Sequence, residues 1–419
     1  MLLSTRSGGH SNEAFSLCSG VVTDQSCRTA MSVDPGSQTL RADPGVTNGL
    51  AALGLAEHGL ALPAGTCESV CLSGLALGGG IGFLQRGLGL TQDSLTAVRI
   101  AVVDSAAEPD AGPRVRVISA RRSGPHSDLF WALLGAGGGN FGIVTSLTFR
   151  VYRVPRVVVY DLRFSPGTER DVRLWQRWAR GLPDRMTAEL NVLSLASAAA
   201  AATRTELVFT GESMGTLEDA RRLLAPMLKL GPASVTVRCV PYVDAVRHYN
   251  GPKVRPTYRR DHSLFLPDRG LGRAGVATLL RLIREAPVGS KFEVETMGGR
   301  INALANDATA FPHRHGTGFW VLVNTSWSNA EEGTARLQWA LGAFRALWPH
   351  GNGGAYVNMA DLALGADYLR AYYGANIPRL VRTKRRYDPR NVFQFQQGIP
   401  LRFAGGEEIG EAPAACACW

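Results

Sequence analysis

The sequence predicts an α+β protein in which a first sheet with few helices is followed by a second sheet layered by helices. Three observations carry this. Residues 1–155 alternate short β-branched runs with glycine loops, so they read as many short strands. Residues beyond Pro155 instead mix strand-like runs with helical stretches of ten residues or more. The segment 360–400 then returns to helix and ends in a proline-marked turn.

In the first region, Val21-Val22-Thr23, Thr39-Leu40-Arg41 and residues 98–103, 115–119 and 143–151 read as strands. Residues 47–58 have helical periodicity, with Thr47 as the capping residue. Pro155 marks a boundary. Strands are then expected at 157–164, 206–210, 235–240, 292–296 and 319–323, and helices near 170–181, 217–228 and 274–285. The alanine-rich stretch 194–202 reads as a loop or short helix end. Near the C-terminus, Tyr387-Asp388-Pro389-Arg390-Asn391 is a turn in which Pro389 stops a helix. The expected organisation is a first domain over 1–155, a second over 156–359, a returning segment over 360–402 and a tail over 403–419.

The 419 residues are 45% hydrophobic, enough to bury a sizeable core divided among two or three domains. The net charge of +10 comes from scattered arginine, with short clusters at 253–260 and 382–386. No basic stripe interleaved with aromatics accompanies them, so nucleic acid is not an expected partner. The longest apolar stretch, 70–84, is too short and glycine-rich to span a bilayer, and no membrane is expected. Met1-Leu2-Leu3 makes no secretory signal, so the location is open, cytoplasmic by default and secreted if an upstream N-terminus carries a signal. Seven cysteines without paired spacing imply neither a disulfide framework nor zinc, and no metal is expected. Cys416 and Cys418 fall in a small-residue tail expected to fray.

Gly137-x-Gly139-x-x-Gly142 fits the dinucleotide-binding pattern by letter, which would make the chain a nicotinamide-dependent dehydrogenase. That fold needs a strand before the glycines and a helix after them. Here residues 128–134 look helical and 143–151 alternate like a strand. The second cluster, Gly78 to Gly82, precedes a strand ending at Asp104, an acid in the ribose-binding position, but its leader is broken by Gly65 and Gly74.

Two other loops are more informative. Arg6-Ser7-Gly8-Gly9-His10-Ser11 and Gly65-Thr66-Cys67-Glu68-Ser69-Val70 each place a nucleophilic side chain among glycines, where backbone can approach a ligand. With Leu77-Gly78-Gly79-Gly80-Ile81-Gly82, Asp128-Leu129-Phe130-Trp131, Gly137 to Val144 and the run from Tyr372 to Pro400, they resemble, in order and over nearly the whole chain, the berberine-bridge-enzyme-like oxidases of the vanillyl-alcohol-oxidase superfamily. The resemblance implies a discontinuous PCMH-type FAD-binding domain with an inserted substrate domain of antiparallel sheet covered by helices.

It further implies FAD held by two covalent bonds, from His10 to the flavin 8α-methyl carbon and from Cys67 to ring carbon 6. An imidazole nitrogen and a thiolate are nucleophiles suited to an electron-poor isoalloxazine. Arg6, Ser7, Gly8, Gly9, Ser11, Gly65, Thr66, Gly74, Gly78, Gly79, Gly139, Asn140, Gly142, Ile143 and Val144 are the implied cofactor cradle, joined by Asn376, Asn391 and Gln397. Val70 falls where the family lines its oxygen pocket, or else packs in the core. Cys71 stands where relatives usually have glycine, and Ile81 where many place a tyrosine.

Tyr372-Tyr373-Gly374-Ala375-Asn376 resembles the family's Y-x-G-x-N motif, so Tyr372 is the implied catalytic base, with Tyr373 the alternative. A phenol of pKa about 10 needs a cation or hydrogen bonds that favour phenolate. Glu293 and Glu295 share one face of a strand, a solvent face or a pair that contacts substrate or tunes the tyrosine. His313-Arg314-His315 has the same spacing, read as structural, and Tyr356 falls near the substrate side.

The implied function is oxidation of an alcohol carbon of a sugar or secondary metabolite, with hydride passing to flavin N5 and O2 reoxidising the flavin to give H2O2. Oxidative cyclisation or desaturation on the same flavin and a non-catalytic remnant are the alternatives. Relatives carry several strands and a helix before the first loop, whereas this chain reaches it at Arg6. The expectation is a longer parent protein or a truncated relative.

Overall fold

The computed structural model describes residues 2–103, 114–197, 203–249 and 258–403. Asp104, residues 198–202, residues 253–257 and the tail cysteines Cys416 and Cys418 lie outside them.

Strand β1 (Leu3–Arg6) pairs in parallel with β2 (Val21–Asp24). Next come β3 (Met31–Asp34), β4 (Thr39–Ala42), β5 (Leu60–Ala61), β6 (Leu95–Val103), β7 (Val115–Arg121), β8 (Ile143–Arg150) and β9 (Tyr152–Arg153). Five of these form an antiparallel sheet in the order β3-β4-β8-β6-β7, while β5 pairs with β9. The helix Asn48–Ala56 starts where Thr47 Oγ1 accepts the Leu50 N–H, the cap read from the sequence. The helix Ser127–Leu133 precedes the Gly137–Gly142 loop and β8 follows it, the reverse of the order a dinucleotide fold needs.

The second sheet contains β10 (Arg156–Phe164), β11 (Met186–Ala196), β12 (Thr203–Ser213), β13 (Ser234–Pro241), β14 (Tyr258–Pro267), β15 (Lys291–Thr296) and β16 (Thr317–Trp327). Its order is β13-β10-β12-β11-β15-β16-β14, with every neighbouring pair antiparallel. Residues 194–196, expected as loop, are the end of β11.

The pleat gives this sheet two unlike faces. Leu190, Val192, Phe292, Val294, Phe319, Val321 and Val323 point one way and are buried. The helices Glu169–Arg180, Arg273–Arg284 and Gly333–Leu347 cover that face. Glu189, Glu293 and Glu295 point the other way, with Lys291, Trp320 and Asn324 of the same register. That face is polar and looks onto a cavity.

The C-terminal helix Ile377–Tyr387 packs on Ser127–Leu133, and Phe393 bridges to Leu3 of β1. Buried Lys384 fixes this return, donating to the Asn140 carbonyl at 2.7 Å and to Asp388 at 2.6 Å. His313-Arg314-His315 lies in a loop instead of a strand. There His313 stacks on Phe265 and Arg314 pairs with Asp93 at 2.6 Å, a buried ion pair at the base of the second sheet.

Candidate active site

The start of the helix Asn48–Ala56 is a platform for the cysteine loop. Asn48 N–H donates to the Val70 carbonyl and Gly49 N–H to the Glu68 carbonyl, at 2.9 and 3.0 Å. The Asn48 side-chain amide donates to the carbonyls of Gly65 and Cys67 at 3.1 and 3.0 Å. The histidine loop lies against it because Gly8 has no side chain: a Cβ there would stand 3.0 Å from the Cys71 nitrogen. Ser73 Oγ donates to Ser7 Oγ at 3.1 Å across the same seam. The result is a convergence, with His10 Nε2 3.0 Å and Cys67 Sγ 3.5 Å from one oxygen, Ser69 Oγ.

Cys71, four residues on, is a different kind of group. It is buried, its Sγ donates to the Gly45 carbonyl, and burial pushes its thiol up. A raised thiol is a packing group rather than a nucleophile. Arg6 lies over Gly9 of its own loop and pairs with Asp24 at 2.6 Å, tying β1 to β2.

Both loops wall a cavity of about 1400 Å³ that extends to the polar face of the second sheet. Pockets for single small ligands span roughly 300–1,000 Å³, so this one has room for a dinucleotide's ring system and a substrate together. From the predicted set it brings together Ser7 to Ser11, Gly65, Thr66, Cys67, Val70, Gly74, Gly139, Asn140, Gly142, Val144, Glu293, Glu295, Tyr356 and Tyr372, with Gln397. Gly74, Gly138 and Gly139 line it, and a Cβ on any of them would meet no protein atom closer than 3.7 Å. Asn48 Oδ1, on the same wall, is buried without a hydrogen-bond partner. Bare glycine walls and an orphaned acceptor fit a flat, polar-edged group such as FAD.

Arg6, Gly78, Gly79, Ile143, Tyr373, Asn376 and Asn391 stand off the cavity wall. Gly78 and Gly79 make room for the second region's side chains, since their Cβ atoms would fall 2.1 Å from Asn358 Oδ1 and 3.1 Å from the Tyr356 ring. Asn376 is spent on the carbonyls of Asn306 and Thr309, and Asn391 sits at φ +50° in the turn after Pro389. Tyr373 is fully buried and donates to the Ala136 carbonyl at 2.8 Å, so Tyr372 alone of the pair faces the cavity.

Tyr372 Oη accepts the Asp361 N–H at 2.9 Å and donates to Gln397 Oε1 at 3.0 Å. Burial pushes its phenol well above the ordinary value, so the resting site does not favour phenolate as expected. Asp361, which holds it, is itself held by Arg260 at 3.0 Å and His262 at 2.7 Å. Across the cavity Tyr356 Oη accepts the Gly80 N–H at 2.8 Å, and burial raises this phenol to about 12.

Glu293 and Glu295 are on the cavity, not on a solvent face. Glu295 stands directly opposite Glu189, a residue the sequence reading missed, and accepts from Gln85 Nε2 at 2.9 Å. Burial pushes both carboxyls up, Glu189 to about 8 with Glu293 nearby adding to it, and Glu295 well above the carboxylate range. Burial works against the Glu293 carboxylate too, but Lys291 and Arg259 outweigh it and hold that group low. Glu189 and Arg259 could have been found from register, because their strand partners Glu295 and Ser326 line the same cavity.

A two-sheet fold with a glycine-walled cavity between a histidine–cysteine pair and a polar sheet is the setting of an FAD-linked oxidoreductase. Residues 2–105 match the family described as FAD binding domain, and residues 355–400 match the one described as Berberine and berberine like. The FAD-linked oxidoreductase YgaK of Bacillus subtilis is 34% identical over 399 residues, covering 94% of this chain and 85% of YgaK. Among solved structures, Physcomitrella patens BBE-like 1 superposes with a TM-score of 0.83 at 24% identity, covering 96% of this chain and 87% of its own. Berberine bridge enzyme from Eschscholzia californica gives 0.81 at 23%, covering 95% and 85%. The chain belongs to the berberine-bridge-enzyme-like FAD-linked oxidases of the PCMH superfamily. Among the described residues no helix is long and apolar enough to cross a membrane, and no cluster of three His, Cys, Asp or Glu side chains could hold a metal ion.

Proposed function

We propose that this enzyme oxidises an alcohol carbon of a small molecule, a sugar or secondary metabolite, with FAD bonded to both His10 and Cys67 and O2 as the final electron acceptor. The observation that carries the reading is the meeting of His10 and Cys67 at Ser69, on the wall of the cavity that also holds Tyr372. When bound, FAD supplies the hydride acceptor and the route of electrons to O2. Tyr372, once its own phenol proton has passed to water in the cavity, takes the substrate hydroxyl proton at Oη as phenolate. The Asp361 N–H stays on that oxygen and stabilises the charge it would carry, while Gln397 accepts from the phenol until it is used. Val70, a small side chain on the wall, leaves space beside the anchor loops for O2.

Acid precipitation tests the cofactor reading. The denatured pellet is expected to stay yellow after washing; a colourless pellet from protein that carried no flavin beforehand would overturn it. One observation favours a second base. Glu189, raised to about 8, lies nearer neutrality than a phenol and faces the same cavity.

A further inference from the structure

We infer that Ser69 is the positioning residue for both flavin anchors, presenting the Cys67 thiol and the His10 imidazole on a single hydroxyl. The inference rests on the two-anchor reading of His10 and Cys67. The backbone on either side of Ser69 is committed to the scaffold. The carbonyls of Gly65, Cys67, Glu68 and Val70 are all taken by Asn48 and Gly49, and the Leu72 N–H is donated to the Val46 carbonyl. The loop is therefore stapled at its backbone, and its side chains are what remain to meet the facing loop. Ser69 Oγ bridges the gap, 3.0 Å from His10 Nε2 and 3.5 Å from Cys67 Sγ.

A hydroxyl can donate one hydrogen bond and accept others. Here it can donate to His10 Nε2 while accepting the Cys67 S–H, an arrangement that fixes which imidazole nitrogen carries the lone pair and which way the thiol points. A hydroxyl on Cβ matters, because it must lie between two loops that Gly8 already brings to contact distance of Cys71. Alanine would leave both anchors in place on their backbones and remove the hydroxyl they share. Threonine would restore it.

The test is peptide mapping of the purified holoenzyme after protease digestion and iodoacetamide treatment. In the unaltered protein one flavin-bearing species should contain the His10 and Cys67 peptides joined through the flavin. Ser69→Ala should lower that doubly linked fraction by at least several-fold, with Cys67 recovered as the carbamidomethyl peptide, while total flavin bound per chain shows that the variant still folds and loads. Ser69→Thr should return the doubly linked species. Full double linkage in Ser69→Ala would overturn the role of Ser69. Absence of any flavin-linked peptide from the unaltered protein would instead overturn the two-anchor reading, so the two failures are distinguishable.

Discussion

Tyr372 carries two hydrogen bonds of opposite effect. The Asp361 N–H would stabilise a phenolate, whereas Gln397 Oε1 stabilises the phenol by accepting its proton. Burial adds to the second and leaves the group protonated at rest. Removing the hydroxyl should therefore strike the chemical step and spare binding. Tyr372→Phe is expected to slow anaerobic flavin reduction by about 10²-fold or more, the usual worth of a positioned base, with substrate Kd changed only a few-fold. Glu189→Gln separates the rival base. If Tyr372 acts, the variant reduces its flavin within a few-fold of the unaltered rate, and no titration near pH 8 governs the reduction step. A large loss in Glu189→Gln, together with a normal rate in Tyr372→Phe, would move the base to the carboxylate.

At the scale of elements, Arg260 of β14 joins three pieces of chain. It pairs with Glu13 in the stretch after the His10 loop at 2.7 Å and with Asp361, whose backbone holds Tyr372, at 3.0 Å. Arg260→Met would leave two carboxylates facing each other with little solvent. Breaking a buried pair costs about 3–5 kcal/mol, so the urea midpoint should fall and limited proteolysis should open the stretch 11–18 first. An unchanged midpoint would show that Glu13 and Asp361 find other partners. This strand is also where sequence reasoning ran short. The helices at Asn48–Ala56, Glu169–Arg180 and Leu217–Leu228 were legible because a threonine caps each one and the apolar spacing is helical. Strand β14 opens on Tyr-Arg-Arg-Asp-His, where Arg259 pairs with Asp261 beside it but Arg260 is neutralised by Glu13 and Asp361 far away in sequence, so the charged run does not read locally as a buried strand. The same holds in the site. The proposals for His10, Cys67 and Tyr372 come from motifs, whereas those for Ser69 and Glu189 come from loop contact and strand register, and Asn376 spends its amide on carbonyls some seventy residues back.

Across the whole molecule, the arginine-rich surface surrounds an interior with protonated acids. Burial raises Glu189 and Glu212 to about 8 and pushes Glu295 well above the carboxylate range, and Glu212 Oε2 has no hydrogen-bond partner. Unfolded, these carboxyls ionise near pH 4.3, so between there and about 8 the folded state holds protons that the unfolded state has lost. Stability must then fall as pH rises through that window. His313 works the other way, its pKa lowered to about 4 by burial, but only below the unfolded imidazole value of about 6.5. The two effects oppose each other at mildly acid pH and separate above it. Between about pH 6.8 and 8 the carboxyls dominate, each contributing at most about 1.4 kcal/mol per pH unit. Urea unfolding of the holoenzyme over that interval should show a falling free energy. Glu212→Gln, neutral at every pH, should remove up to one proton's worth of the slope, and an identical slope in the variant would mean that Glu212 is already ionised in the folded protein.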